Sequence, residues 1–364
     1  MERGAIVLTG ATGVVGMEVL ARLLERGQED VIVLLRAADQ ESADARLAQT
    51  IARLWDTPPL QPRVRAVRAD ITATRLGLAP ADRRAITAQA DRVIHCAAAV
   101  GFDQPLPDAL AVNALGTQRV LELAHGMPRL KRVVHVSTAY VSGCTEGRFR
   151  ETDLVCGQTF RNTYEQTKHL AERLVVGSGL PATVARPSIV VGDTLTGWTP
   201  AFSALYLPLR AFARGLLDRV PADPDGIVDA VALDYVAASI LHLLDTPEAE
   251  GGTFNLVAGD RAARVGDVLA LAQDRFAQPP PTFAPLRIGG GTEALVPYFD
   301  VKTQFDDTAA RALLEPAGLR STPLDALFER LMDYAEATRW GRVPTTRETA
   351  LRQAGQRVEE AAAA

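Results

Sequence analysis

The chain has 364 residues, 47% of them apolar, enough for one large domain or two modest ones around a sizeable core. Its formal net charge is −5 with both signs interspersed, which gives no electrostatic case for nucleic acid or an anionic membrane surface as partner. No apolar run reaches about 18 residues, so no membrane span is expected, and a first strand at Ala5 leaves no room for a signal peptide, which favours the cytoplasm.

In chain order, short apolar runs at Ala5–Thr9, Val31–Leu35, Val64–Val67, Arg92–Cys96, Arg132–Val136 and Ala182–Ala185 read as strands. Helical patterns lie between them at Val14–Arg26, Ser42–Leu54, Leu106–Ala124 and Tyr164–Val176. Strand and helix in alternation predict an α/β fold, a doubly wound parallel Rossmann sheet. After Pro187 the composition turns to mixed Gly, Thr, aromatic and Pro residues over Gly192–Pro208, with a turn-like stretch at Pro221–Gly226. A helix is predicted over Asp234–Leu244, a strand over Thr253–Val257 and a last helix over Leu324–Ala337. Gln278–Pro281 leads to a loop at Gly289–Gly291, and the tail with Glu359, Glu360 and four alanines reads as frayed. The division that follows is a dinucleotide-binding domain over 1–191 and 227–257, a smaller, discontinuous substrate-binding part over 192–226 and 258–340, and a tail over 341–364. Cys96, Cys144 and Cys156 show no CxxC spacing and read as small buried hydrophobes in a reducing compartment. The five scattered histidines give no metal-ligand pattern.

Gly10, Gly13 and Gly16 stand between a predicted strand and a predicted helix, the context in which three glycines place a pyrophosphate on a helix N-terminus. Gly10 permits the tight turn, Gly13 the approach of the phosphates and Gly16 close helix–strand packing; Thr12, Val14 and Val15 belong to the same cradle. At the end of the second strand, where an acidic residue would bind the ribose hydroxyls of NAD, stands Arg36, whose guanidinium suits a 2′-phosphate. Arg46, ten residues on, can close the same pocket. NADP(H) is therefore favoured over NAD(H). Asp70 can accept from the adenine amino group with Ile71 against the ring, or simply form a strand-end turn. Ala97, Ala98 and Ala99 let the backbone approach the cofactor, and His95 before them reads as a packed or hydrogen-bonded residue.

Ser137 and Thr138 end the fifth strand, at the edge where such sheets bind ligands. Tyr164 and Lys168 lie four apart, on one helix face. A phenol normally titrates near pH 10, and a neighbouring ammonium favours its phenolate. Thr138 then orients a carbonyl oxygen, Tyr164 exchanges its proton and Lys168 also holds the nicotinamide ribose. Pro187, lacking an N–H, fixes the chain where it passes the nicotinamide, with Ile189 in the same stretch. Asn113, mid-helix by pattern, reads equally as a structural bond to the backbone near the catalytic strand or as a direct participant.

These residues resemble the extended short-chain dehydrogenase/reductase superfamily over nearly the whole chain. Val33–Ala37 with Ala45–Leu47, His95–Phe102 with Pro105–Leu106, Val134–Val141 and Arg186–Gly192 are similar to the reductase domains of carboxylic acid reductases and of peptide or polyketide synthetases, and to fatty acyl-CoA reductases. The resemblance implies a thioester reductase in which NADPH reduces an acyl thioester to an aldehyde, sometimes onward to an alcohol. It places Thr138, Tyr164 and Lys168 at the family triad, and Gly10, Thr12, Gly13, Val14, Val15, Gly16, Arg36, Arg46, Asp70 and Ile71 at its cofactor positions. Those reductase domains usually follow a carrier protein, and no adenylation or carrier segment is read in these 364 residues, so a stand-alone reductase is expected. A free CoA thioester, an acyl carrier protein in trans and an ordinary ketone or aldehyde all stay open as substrates. Trp198, Phe202, Leu205, Tyr206 and Leu207 could line an acyl channel or pack a core, and Arg210 and Arg214 could meet a phosphate of CoA or a pantetheine arm or face solvent. The competing readings are a carbonyl or hydroxyl dehydrogenase or a sugar-nucleotide epimerase on the same fold, which Arg36 disfavours where NAD is needed, and a non-catalytic dinucleotide sensor, which the Tyr–Lys pair disfavours. The oligomeric state is left open.

Overall fold

β1 (Ala5–Thr9) and β2 (Val31–Leu35) are buried at every position, the pattern of strands covered on both faces. With β3 (Val64–Arg68), β4 (Ala90–His95), β5 (Arg132–Val136), β6 (Ala182–Pro187) and β7 (Thr253–Leu256) they form a seven-stranded sheet in the order β7-β6-β5-β4-β1-β2-β3. Every pairing is parallel. The order reverses between β1 and β4, which opens a crevice at their carboxyl ends. The computed structural model describes residues 4–57, 63–202, 204–217, 219–220, 222–283 and 296–363, so the loop expected at Gly289–Gly291 and Pro221 of the expected turn lie outside the described residues.

The helices are α1 (Val14–Arg26), α2 (Gln40–Ala52), α3 (Pro80–Gln89), α4 (Leu106–Asn113), α5 (Leu115–His125), α6 (Thr163–Val176), α7 (Tyr206–Ala213), α8 (Leu233–Asp245), α9 (Val265–Phe276), α10 (Thr308–Leu314), α11 (Leu324–Ala337) and α12 (Arg347–Ala363). Successive strand residues point to opposite faces. Ile6, Leu8, Val31 and Val33 therefore meet Val19 and Leu20 of α1 and Val236 and Ile240 of α8. Val7, Ile32, Leu34 and Val93 meet Ile86 of α3, Val120 and Leu123 of α5 and Val175 of α6. Each fully buried side chain of this size contributes about 1.5–3 kcal/mol.

Local chemistry sets the element ends. The Asp39 carboxylate accepts from the Ser42 amide at 2.8 Å, so α2 begins at Gln40 rather than at the predicted Ser42. Asn162 accepts from the Glu165 amide at 3.0 Å and starts α6 one residue before Tyr164. The single helix predicted over Leu106–Ala124 is two helices that meet at Ala114 (φ −92°, ψ −59°). There the Thr117 hydroxyl donates to the Asn113 carbonyl at 2.6 Å, and Asn113 turns its amide to a neighbouring loop.

Short strands lie outside the sheet: Ile189–Val191 pairs parallel with Ala230–Ala232, and Gly147–Phe149, which precedes β6, with Thr303–Phe305. Leu209 and Phe212 of α7, Val268 of α9 and Leu327 and Phe328 of α11 join the same apolar cluster as the α1–α8 face of the sheet. The tail expected to fray forms α12 instead. Arg347 at its start bonds Glu18 of α1 through Nε (2.7 Å) and Nη2 (3.0 Å), and reaches Glu25 through Nη1 (2.5 Å). Glu18 is buried, so its carboxylate needs a fixed cation. The alanine-rich sequence carries no strong apolar stripe but favours helix intrinsically. Cys144 and Cys156 are exposed and Cys96 half-buried, against the expectation that all three are buried. No described helix is long and apolar enough to cross a membrane. No group of three or more His, Cys, Asp or Glu residues among the described ones is placed to hold a metal.

Candidate active site

The glycine turn crosses the carboxyl end of β1. Gly10 has φ +75°, and a Cβ there would lie 2.5 Å from the Ala97 nitrogen, so the turn backs directly onto the loop after β4. A Cβ at Gly16 would lie 2.2 Å from the Gly10 carbonyl oxygen, which presses α1 against the turn. Gly13 is exposed, and the first turn of α1 has neither a side-chain cap nor an acidic residue. Its outward amides and the positive end of the helix dipole suit an anion. Thr12, Val14 and Val15 flank it, half-buried.

Arg36 stands exposed just past β2. Arg46 donates to the Arg36 carbonyl, so its guanidinium is committed to the backbone there. Asp70 Oδ1 accepts from the Thr72 amide (2.8 Å) and hydroxyl (2.7 Å), which is the strand-end turn of the two expected alternatives. Burial opposes ionisation of Asp70, yet these bonds and the charges of Arg36 and Arg68 hold its carboxyl below the usual range. Ile71 packs against α5, where a Cβ on Gly116 would touch its side chain at 3.2 Å.

The loop after β4 is clamped from both sides. Ala97 N–H donates to Thr9 Oγ1 at 3.2 Å. Asn113 accepts from Ala99 N (2.7 Å) and donates to Ala99 O (3.0 Å) and to Thr167 on α6 (2.9 Å). Ala97, Ala98 and Ala99 are half-buried along this loop. Asn113 is thus a backbone tie between the loop and α6.

Thr138 ends the neighbouring strand, accepts from the Tyr140 amide (3.3 Å) and donates to the Pro187 carbonyl at the end of β6 (3.4 Å). Ile189 lies two residues beyond, half-buried. Tyr164 and Lys168 project from the first turns of α6. The Thr138 hydroxyl is a hydrogen-bond partner of the Tyr164 phenol, which burial pushes up to about 12 against the lowering effect of that bond. The neighbouring ammonium expected to favour the phenolate is turned elsewhere: Lys168 Nζ donates to the Val136 carbonyl at 2.7 Å and lies 3.3 Å from His135 Nε2. Burial pushes Lys168 down to about 8, with Glu172 opposing. Glu172 is held by Arg186 (Nε–Oε1 2.9 Å) and by the Ser137 hydroxyl (2.8 Å), so Ser137 is a structural partner of α6.

Aromatic rings close over Tyr164. Phe102 lies 5.9 Å from its ring and stacks on Tyr298 at 4.9 Å, and Tyr140 meets Tyr298 edge-on at 5.2 Å. Asn162, the cap of α6, donates to the Tyr298 hydroxyl at 2.8 Å. Tyr298 escapes sequence reasoning because it belongs to no periodic stretch; Phe102 stands in the string after His95 and could have been singled out. Of the stretch that could line an acyl channel or pack a core, all but Leu207 packs against neighbouring side chains. Trp198 is buried among Met17, Ala21, Leu54 and Tyr334, with its indole N–H on the Thr345 carbonyl (3.2 Å). Phe202 packs against Tyr206, Tyr334 and Trp340, Tyr206 accepts from the Gly192 amide (2.9 Å), Leu205 is buried, and Leu207 is exposed. Arg210 and Arg214 lie on the last turn and C-cap of α7, half-buried and exposed.

The family described as male sterility protein matches residues 8–240. Fatty acyl-CoA reductase 1 of Xenopus laevis is 29% identical over 275 residues, which cover 65% of this chain and 53% of that protein. A linear gramicidin synthase of Brevibacillus parabrevis is 29% identical over 282 residues, 74% of this chain and 5% of that protein. The chain thus spans about half the length of the first relative and a small fraction of the second. The terminal R domain from the myxalamid PKS-NRPS biosynthetic pathway shares the fold, with a TM-score of 0.80 at 24% identity over 94% of this chain and 93% of that one. With most of the sheet, the glycine turn and the Thr138–Tyr164–Lys168 cluster inside the matched span, the chain belongs to the male sterility protein family, on an extended short-chain dehydrogenase/reductase fold.

Proposed function

We propose that the protein is an NADPH-dependent oxidoreductase that reduces an acyl thioester, CoA-linked or carried by an acyl carrier protein in trans, to an aldehyde and, with a second round, to an alcohol. The observation that carries the reading is the convergence of the Thr138 and Tyr164 hydroxyls at the carboxyl edge of the sheet, one strand away from an uncapped helix N-terminus. The residues present fit a nicotinamide dinucleotide. The Gly10–Gly16 cradle has no room for added Cβ atoms at Gly10 and Gly16, and its amides would hold the pyrophosphate. Arg36 carries no ion pair among the described residues and would take a 2′-phosphate, while Asp39, the nearest carboxylate in that loop, is used as the cap of α2. Ala97–Ala99, Pro187 and Ile189 would border the nicotinamide side, with Asp70 and Ile71 towards the adenine.

When bound, a dihydronicotinamide supplies the hydride to the carbonyl carbon. Tyr164, and Thr138 once its hydroxyl turns from the Pro187 carbonyl, donate hydrogen bonds to the carbonyl oxygen as negative charge develops on it. The C–S bond then breaks and the thiol departs with a proton, leaving the aldehyde. In a second reduction the Tyr164 phenol, protonated at neutral pH, gives its proton to the alkoxide. Lys168 holds the nicotinamide ribose. Residues 192–226 and 258–340 form the substrate side, with Phe102 and Tyr298 next to the acyl group. The test is product analysis by mass spectrometry with NADPH and a panel of acyl-CoAs, carrier-loaded acyl groups, aldehydes and ketones. Aldehyde or alcohol from a thioester is the expected result; turnover of only ketones or free aldehydes would overturn it.

A further inference from the structure

β4 and β5 place two histidines side by side beneath the candidate site: His95 and His135 are paired in register, with ring centroids 5.3 Å apart. Both are almost fully buried, at 2% and 1% exposure. Their hydrogen bonds determine where each imidazole carries its proton. Thr117 Oγ1 gives its hydrogen to the Asn113 carbonyl, so it can only accept from His95 Nε2, 3.0 Å away. His95 is then protonated on Nε2, and its Nδ1 accepts from the Thr9 hydroxyl at 2.7 Å. His135 faces the other way. Its Nε2 lies 3.3 Å from Lys168 Nζ, which as an ammonium can only donate. His135 must then carry its proton on Nδ1, and that atom is buried without a hydrogen-bond partner among the described groups.

Among the described residues no carboxylate lies within ion-pair distance of the Lys168 ammonium. Facing it are His135 from β5, His95 at the end of β4, the Cys96 thiol just past it, and Glu172 from its own helix. Burial and the Lys168 charge keep both imidazoles neutral, with His95 pushed down to about 3 and His135 well below its usual value. Burial pushes the Cys96 thiol up to about 12, and Glu172 is saturated by Arg186 and Ser137. The direct acceptors of the ammonium are therefore the Val136 carbonyl and the imidazole of His135.

We propose that His135 is a positioning residue for Lys168: as the neutral Nδ1–H tautomer it accepts from the ammonium and keeps it charged and oriented at the carboxyl end of β5. The proposal rests on the reading of Lys168 as a ribose-binding group, but its test does not need the substrate. Near pH 7, imidazole nitrogen NMR of the wild-type protein should show opposite tautomers, Nε2–H for His95 and Nδ1–H for His135. An Nε2–H tautomer at His135 overturns it. NADPH binding, followed by fluorescence across pH, should weaken as pH rises through the Lys168 titration. In His135→Phe, which removes the acceptor, that loss should begin roughly one to two pH units lower, and His135→Gln, whose amide oxygen can accept, should restore it. A folded His135→Phe protein with an unmoved binding profile overturns the proposal. If wild type binds NADPH and shows the opposite tautomers but turns over no thioester, the substrate reading fails while this one stands.

Discussion

The glycine-turn side of the crevice and its aromatic side are assembled differently. The turn side comes from short contiguous strings: Gly10 to Gly16 fold back on themselves and rest on Ala97, and Gly16 has its steric reason six residues back, at the Gly10 carbonyl. The aromatic side joins Phe102, Tyr140 and Tyr298, which the chain brings from three separate segments and which hydrogen bonds from α6 then hold. The first kind of wall can be read along the chain. The second kind depends on which loops happen to meet, and substitutions on the two sides should therefore fail in different ways.

The largest expected effect separates chemistry from binding. Tyr164→Phe keeps the ring against Phe102 and removes the hydroxyl shared with Thr138, so the rate should fall about 10²–10⁴-fold while cofactor affinity stays near wild type. Steady-state turnover with a cofactor-binding titration checks this, and near-normal turnover would remove Tyr164 from the mechanism. Trp198→Ala should cost about 3–5 kcal/mol of stability by leaving a cavity between α1 and α11, without raising KM for substrate in the folded fraction. Phe102→Ala should do the reverse, and urea melts beside KM measurements distinguish the two; a Trp198→Ala variant of unchanged stability and raised KM would return that residue to an acyl channel.

Acid should act through the sheet beneath both walls. His95 has its ordinary value of 6.5 when unfolded and about 3 when folded, and His135 is lowered in the same way. Below pH 6.5 the unfolded chain binds protons that the folded chain refuses, so stability present above that pH is lost as pH falls towards the folded values. In that window His95 removes about 1.4 kcal/mol of stability per pH unit of acidification, and His135 acts in the same direction. Denaturant midpoints measured from pH 7 downward should begin to drop before the carboxylates titrate, and a flat profile down to pH 5 would contradict neutral buried imidazoles. The smallest effect is at the rim of the turn side: Arg36→Ala should weaken NADPH about ten- to a hundredfold and leave NADH nearly unchanged. A wild type that already prefers NADH would reassign Arg36 to solvent.

The sheet was legible because its strands are apolar runs buried on both faces, and β1, β2 and β5 match the expected bounds. The fold beyond it was less so. α3 is half polar residues and three alanines, with one buried side chain, Ile86, and gives no apolar stripe to read. The break at Ala114 accompanies the turn of the Asn113 amide to the Ala99 backbone, a contact between loop and helix that no helical periodicity announces. The aromatic stretch at 198–207 suggested a channel by composition, but composition does not say whether a ring faces a ligand or α1 and α11. The orientation of Lys168 was equally hidden, since Tyr and Lys four apart share a helix face whether the ammonium turns to the phenol or to the strand below.

The clasp between α1 and α12 ties together residues 329 positions apart. At roughly 5–20 residues per second of synthesis, Glu18 leaves the ribosome some 15–65 seconds before Arg347 exists. Through that interval α1 holds an acidic side chain whose cation is the half-buried Arg22 one turn on (2.8 Å), without the buried guanidinium that completes its pairing, and burial raises its pKa. The glycine turn can therefore form early, but α1 cannot settle into its final environment until translation has passed position 347. An arrested nascent chain should bind dinucleotide loosely at first and tighten only when that arginine arrives.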